Sequence, residues 1–239
     1  SQQIGTIVNF TCHSTFISGR LYSADYPGFL ASTLNCPTVF LNGAMGDINQ
    51  IDFTNRDGEY FGEEAASAAA EKLVEGVESI LESATWYDDV DCSAHSEIIE
   101  LPLRRPSDQQ LAEACSIMEE AGEKMSSEQV YARELILLDE MIEAGGEVAE
   151  CEIQAMNIGG VLVCASPLQP FCQLGLNIKQ ATSKHTIIAT LANGCLGYVG
   201  PRQAYEEGGY ELELKRTSRL APGSGERYVE GTIAALNRL

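Results

Sequence analysis

Short β-branched and aromatic runs alternate with stretches of helical period along this 239-residue chain, and its unusual polar residues stand in the loops just after the runs. Helices, lone strands and a hairpin can bury their apolar faces together only by layering helices on a sheet. The pattern therefore predicts an α/β or α+β fold, a mixed sheet with flanking helices. In open sheets of that kind, sites form in the loops at strand ends. The runs are "IGTIVNFTCH", "PTVFLNGAMGDINQ", "CSAHSEIIELPLRRP", "EVAECEIQAMNIGGVLVCASP" and "HTIIATLAN". Pro106 stops the third, and Gly159-Gly160 reads as a hairpin turn in the fourth. Pro27 opens a short helix in "YPGFLASTLN". Phe61, Ala65, Ala69, Leu73, Val77 and Ile80 recur at helical spacing and predict a helix from about Glu59 to Ser83. Two acidic helices, roughly 107–121 and 126–144, lie either side of Gly122, and another lies near 170–181. Val229, Ile233 and Leu236 stripe a last helix after "APGSGE". No internal repeat or linker divides the chain.

Acidic residues number 35 against 15 basic, a formal net charge of −20. Nucleic acid and anionic membrane are poor partners for most of such a surface. No uncharged apolar run is long enough for a transmembrane segment. The eight cysteines form no CxxC pair, which argues against a zinc ribbon. Most read as small buried hydrophobes, as Cys164 does in "VLVCAS". A secreted setting would allow one or two disulfides.

Several loop residues have chemistry to offer. His13, in "NFTCHSTF", reads as a packed residue or a ligand. Asp25, in "YSADYPG", reads as a cap for the helix that follows. Gly43 and Gly46, in "NGAMGDINQ", suit either a turn with positive φ or close approach of backbone to a ligand. No GK[ST] follows them, so this is not a P-loop, and neither a GxSxG elbow nor HExxH occurs. His95 and His185 read as surface or edge residues. Tyr198, in "LANGCLGYVGPRQAYEEGGYE", reads as a loop residue placed to pack, bind or coordinate.

Taken in order, "NFTCHSTF", "SADYPGF", "FLNGAMGDIN", "IQAMNIGGVLVCASPLQPFCQLGLNIK", "LANGCLGYVGPRQAYEEGGYE" and "SRLAPGSGERYVEG" resemble the neutral/alkaline ceramidase-like family, its compact bacterial members above all. The resemblance runs over nearly all of residues 1–239 at matching spacing, and corresponds to the C-terminal part of that family's catalytic domain. It implies a zinc-dependent amide hydrolase whose metal is held by two histidines, a glutamate and a tyrosine. His13 matches the second histidine and Tyr198 the tyrosine. Zinc would polarise the amide carbonyl or activate a water. Asp47 matches the family's Gly-Asp pair in the glycine loop.

Three departures accompany the match. The family's other zinc histidine belongs to an N-terminal portion outside this sequence. Gln169, in "SPLQPF", stands where the family has its glutamate, leaving a neutral donor beside a dication. Asn49 stands in the place of the ceramidase serine and cannot serve as a nucleophile. The resemblance thus leads to two expectations: a zinc hydrolase acting on an amide or lipid-like substrate through a weakened metal site, or a catalytically inactive assembly subunit of the same fold. It also leads us to expect weak zinc binding, a secreted or periplasmic location, and association either with the chain's own N-terminal portion or with copies of itself. A further reading makes Ser1 an N-terminal nucleophile, but nothing near it supplies the supporting base.

Overall fold

The computed structural model describes residues 3–34, 36–55, 57–119, 122 and 124–239; Ser1 lies outside them. Strands β1 (Thr6–Phe10) and β2 (Thr38–Asn42) pair in parallel, with α1 (Asp25–Thr33) between them in the chain. Helix α1 and α2 (Glu63–Glu82) cover one face of this ribbon, where Val8 and Phe40 meet Leu30, Ala70 and Val74. The other face carries Ile7 and Val39, which are in register and 61% and 55% exposed.

The main sheet is mixed, as the pattern of runs predicted. It is built from β3 (Cys92–Pro102), β4 (Val148–Ile158), β5 (Val161–Ala165) and, after the short β6 (Leu168–Pro170), β7 (Thr186–Ala189). Its order is β3-β4-β5-β7, antiparallel except for the β5–β7 pair. Strands β4 and β5 join through Gly159 and Gly160, both at positive φ (57° and 90°), a conformation that side chains resist. Helices α3 (Asp108–Glu119) and α4 (Ser127–Gly145) pack on each other. Helices α5 (Cys172–Gln180) and, after α6 (Arg202–Glu207), α7 (Ser224–Leu236) lie on the sheet. Leu174, Ile178 and Tyr228 there bury Ile153, Cys164 and Ile188.

Some boundaries differ from the sequence reading. Helix α2 starts at Glu63, because the chain turns at Gly62; Phe61 therefore falls outside it and is exposed, as is Ile80 near its far end. Its fully buried residues are Ala66, Ala70 and Val74, while the predicted Ala65, Ala69, Leu73 and Val77 pack beside them, partly buried. Alanines occupy both stripes, so periodicity could not choose between them. Helix α1 starts at Asp25 rather than Pro27, and Asn35 and residues 120–121, the predicted ends of two helices, lie outside the described residues. Tyr198 belongs to a strand, β8 (Gly197–Val199), which pairs in parallel with β6, where the sequence suggested only a loop.

The ribbon is stitched to the sheet along β7. The Asn9 amide donates to Leu41 O (2.8 Å) and to Ile188 O (3.0 Å). Thr190 N donates to Asn42 O (3.0 Å), and its hydroxyl to Gly43 O (2.9 Å). Ser166 N donates to Ala189 O. These bonds bring the C-terminal ends of β1, β2, β5 and β7 together. No helix of the described residues is long and apolar enough to cross a membrane.

All eight cysteines are free thiols. Burial pushes Cys12 up to about 11 and Cys151 and Cys164 up to about 12, from an ordinary 9.0. An unfolded thiol loses its proton near 9.0, so between that pH and 12 the folded chain holds protons that the unfolded chain has released. Stability is therefore expected to be flat from about pH 7 to 8.5 and to fall as pH rises towards 12, read as the urea midpoint at each pH. The fall should be shallower in Cys151→Ala/Cys164→Ala; an unchanged slope would assign it to other groups.

Candidate functional site

Beyond β1 the chain turns back against the loop that follows β2. One carbonyl anchors His13 twice: its backbone N–H and its Nδ1 both meet Ile48 O, each at 3.0 Å. A carbonyl only accepts, so Nδ1 carries a proton, and in that tautomer of the ring the lone pair lies on Nε2, on the other side. The flanks of the loop are pinned as well. Buried Tyr26 donates its hydroxyl to Cys12 O (3.0 Å), while the Asp25 carboxylate accepts from Tyr26 N and from Ile17 N (2.8 Å each). Asp25 was expected as a cap for α1; it is instead the first residue of that helix, whose N-cap Ala24 has no side-chain cap bond, and its carboxylate ties the helix start to the far side of the His13 loop.

Tyr198 approaches from the sheet side. It sits mid-strand in β8, directly beside Gln169 of β6, so the two side chains leave the same face of the pair. Gly197 has φ +91°, and a Cβ there would strike Thr217 O; this close approach lets Tyr198 N donate to Thr217 O at 2.9 Å. The Tyr198 hydroxyl lies 3.2 Å from His13 Nε2. Because Nε2 offers a lone pair, the phenol donates. Burial raises the phenol above its usual range, and Tyr210, Glu211 and Cys195 add to the rise. The pair is thus a protonated phenol facing an imidazole lone pair.

The glycine loop is not the positive-φ turn that the sequence offered as one of its two readings. Gly43 and Gly46 do not have positive φ. A Cβ on Gly43 would strike Thr11, and one on Gly46 would lie 2.6 Å from Gln169 O, so the loop packs closely against this chain's own backbone. Asp47 accepts the Cys172 N–H at 2.6 Å and so caps α5 from a distant loop, a job that Phe171 at the N-cap cannot do. Asn49 turns its Oδ1 to Ile51 N (2.8 Å) and lines a cavity of about 620 Å³ whose other walls include Phe10, Phe16, Tyr26 and Leu73. His13, Tyr198 and Gln169 therefore come together, while Asp47 and Asn49 are engaged with backbone. His95 faces Glu97 across 3.8 Å on β3, and His185 is exposed, both at the periphery. The Ile48 carbonyl had no sequence signal at all, since any residue supplies one.

Two donors of a tetrahedral zinc ion, each at about 2.0 Å, stand about 3.3 Å apart. The 3.2 Å between His13 Nε2 and Tyr198 Oη matches that edge. The rest of the donor set falls short. Gln169 adds a neutral oxygen, and among the described residues no group of three or more His, Cys, Asp or Glu side chains is gathered to hold a metal. By themselves these residues do not make a zinc site.

No family model and no curated protein matches this chain. Solved structures do. The neutral ceramidase from Pseudomonas aeruginosa superposes with a TM-score of 0.65 and 15% identity, over 98% of this chain and 44% of that one. A ceramidase complexed with C2 superposes with a TM-score of 0.62 and 13% identity, over 98% of this chain and 46% of that one. The chain has a ceramidase-like fold. At these identities the likeness is one of fold, and the chain spans less than half the length of either ceramidase.

The capping role of Asp47 can be measured directly. Asp47→Ala leaves the Cys172 N–H without its acceptor and is expected to lower stability by about 1 kcal/mol in urea unfolding. A change within experimental error would show that the carboxylate is not needed where it sits.

Proposed function

We propose that this chain carries part of the reaction centre of a ceramidase-like hydrolase acting on an amide or related bond, with His13 and Tyr198 as its two working side chains. The observation that carries this reading is the 3.2 Å approach of the Tyr198 hydroxyl to a His13 ring whose other nitrogen is anchored on Ile48 O. An anchored Nδ1–H fixes both the tautomer and the ring direction, the arrangement that ligating and proton-accepting histidines share. A carbonyl oxygen that displaced Nε2 would meet the Tyr198 O–H, and the freed Nε2 would take a proton from the attacking water. The apolar cavity beside Asn49 would suit the chain of a lipid-like amide. Zinc would need donors from beyond these residues. Secretion or a periplasmic location accords with the reading.

The test is release of fatty acid from an N-acyl amide amphiphile, with zinc supplied. His13→Ala and Tyr198→Phe are each expected to slow release at least about a hundredfold. Equal rates in all three proteins would overturn the assignment of the pair.

A second reading, an inactive assembly subunit, is favoured by the engagement of Asp47 and Asn49 with backbone and by the neutral Gln169 at the third donor position. On this reading the exposed Ile7–Val39 face of the ribbon packs against another chain, either an N-terminal portion of the same protein or a second copy. The −20 charge opposes self-packing. Self-association should therefore strengthen as salt shortens the screening length, about 10 Å at 0.1 M and about 3 Å at 1 M. Sedimentation velocity across that range is expected to show growth of a larger species with salt. A monomer throughout would remove self-assembly from consideration.

A further inference from the structure

The acidic balance of the chain has a local exception. Lys215, Arg216, Thr217 and Arg219 follow the 3-10 turn Tyr210–Leu212 and face α4 across a cavity of about 660 Å³. Their segment is held from beneath. Ser218 N donates to Lys215 O (2.8 Å), and the half-buried Arg104 guanidinium donates to Ser218 O (2.7 Å) and Leu212 O (2.9 Å). Lys215 is only 5% exposed. Its ammonium donates to Tyr210 O at 2.8 Å, lies 3.5 Å from the centre of the Tyr210 ring and 5.5 Å from that of Tyr131.

What these cations lack is more informative. Arg216 is engaged by Glu134, at 2.6 and 2.9 Å. Among the described residues, no ion pair reaches Lys215 or Arg219. In a chain with 35 acidic and 15 basic residues, a carboxylate for each would be easy to find. Burial disfavours the charge on both. For Lys215, Glu213, Glu211 and Glu134 oppose that effect through space, while for Arg219 the neighbouring Arg216 adds to it. The ammonium has three donors; one goes to Tyr210 O, and the Tyr210 ring stands 3.5 Å from it. Lys and Arg together with a hydroxyl are the usual recognition set for oxyanions.

We propose that this cavity binds an organic oxyanion, a phosphate- or carboxylate-headed molecule, with its head between Lys215, Arg219 and Thr217. The volume exceeds what a bare inorganic anion fills, and Val130, Tyr131 and Met141 supply an apolar wall for the rest of the guest. The site adjoins β8, since Thr217 O is the acceptor for Tyr198 N. It does not depend on that pair being catalytic.

Calorimetric titration with octyl phosphate, octanoate, inorganic phosphate and octyltrimethylammonium, each below its micelle concentration, tests the proposal. Octyl phosphate or octanoate is expected to bind one to one, and the tighter of the two identifies the head. Inorganic phosphate should bind more weakly for want of a tail, and the cationic amphiphile not at all. Arg219→Gln should weaken the tighter ligand about tenfold, and Lys215→Met by more. Should Lys215→Met fail to fold by circular dichroism, Arg219→Gln and the loss of affinity with added salt decide the matter. Unchanged binding in Arg219→Gln, equal binding of the cationic amphiphile, or equal binding of inorganic phosphate and octyl phosphate would each overturn the proposal.

Discussion

Everything at the candidate site depends on how the β1–β2 ribbon is fastened to the main sheet. His13 belongs to the ribbon and Tyr198 to the sheet side, and 185 residues separate them in the chain. The fastening is made of backbone carbonyls and two short side chains. Asn9 bridges Leu41 O and Ile188 O, and Thr190 reaches Asn42 O and Gly43 O. Buried polar groups are costly unless satisfied, so each of these bonds also fixes a register. A ribbon displaced by one residue along β7 would cost the Asn9 amide its Ile188 acceptor and carry His13 away from Tyr198. The remaining precision comes from Ile48 O, which holds the His13 ring from behind, and from Tyr26 on Cys12 O.

The electrostatics of the chain divide in an instructive way. A net charge of −20 describes the chain as a whole, yet the features with chemistry to offer are a phenol raised above its usual range, an imidazole anchored by one nitrogen and a small group of cations beside Glu134. Carboxylates near the candidate site work on backbone. Asp47 caps α5, and Asp25 ties two loop segments together. That division explains why the donor set at His13 is short of charge. The acidic residue that lies nearest in the glycine loop is already committed to a helix N-terminus, where the helix dipole and an unmatched N–H both favour it.

The ceramidase-like fold and the motif order agree with each other, but they carry different weight. At 13–15% identity the superposition speaks for the arrangement of strands and helices. The chemistry of the chain has to be argued from its own side chains, and there Gln169 and Asn49 stand out as departures from what the resemblance implied. Gln169 stands in register with Tyr198 and offers an uncharged oxygen. Asn49 spends its oxygen on Ile51 N.

The sequence by itself determined the layering of helices on a mixed sheet, because strand and helix periods are local and the apolar residues recorded both. It also determined the two-residue hairpin, because Gly159-Gly160 is a local answer to a local strain, and the placement of His13 beyond the end of a strand, whereas Gln169, read as part of a loop, lies within β6. Tertiary structure alone decided which alanines of α2 are fully buried and which only partly, since two equally apolar stripes lie one residue apart. It alone turned the loop around Tyr198 into strand β8, because three residues become a strand only when β6 supplies the hydrogen bonds. It alone committed Asp47 to Cys172 N–H, 125 residues away, and set Lys215 beside an open cavity with its ammonium on Tyr210 O. Partners at such separations are chosen by packing, and no local pattern in the chain records them.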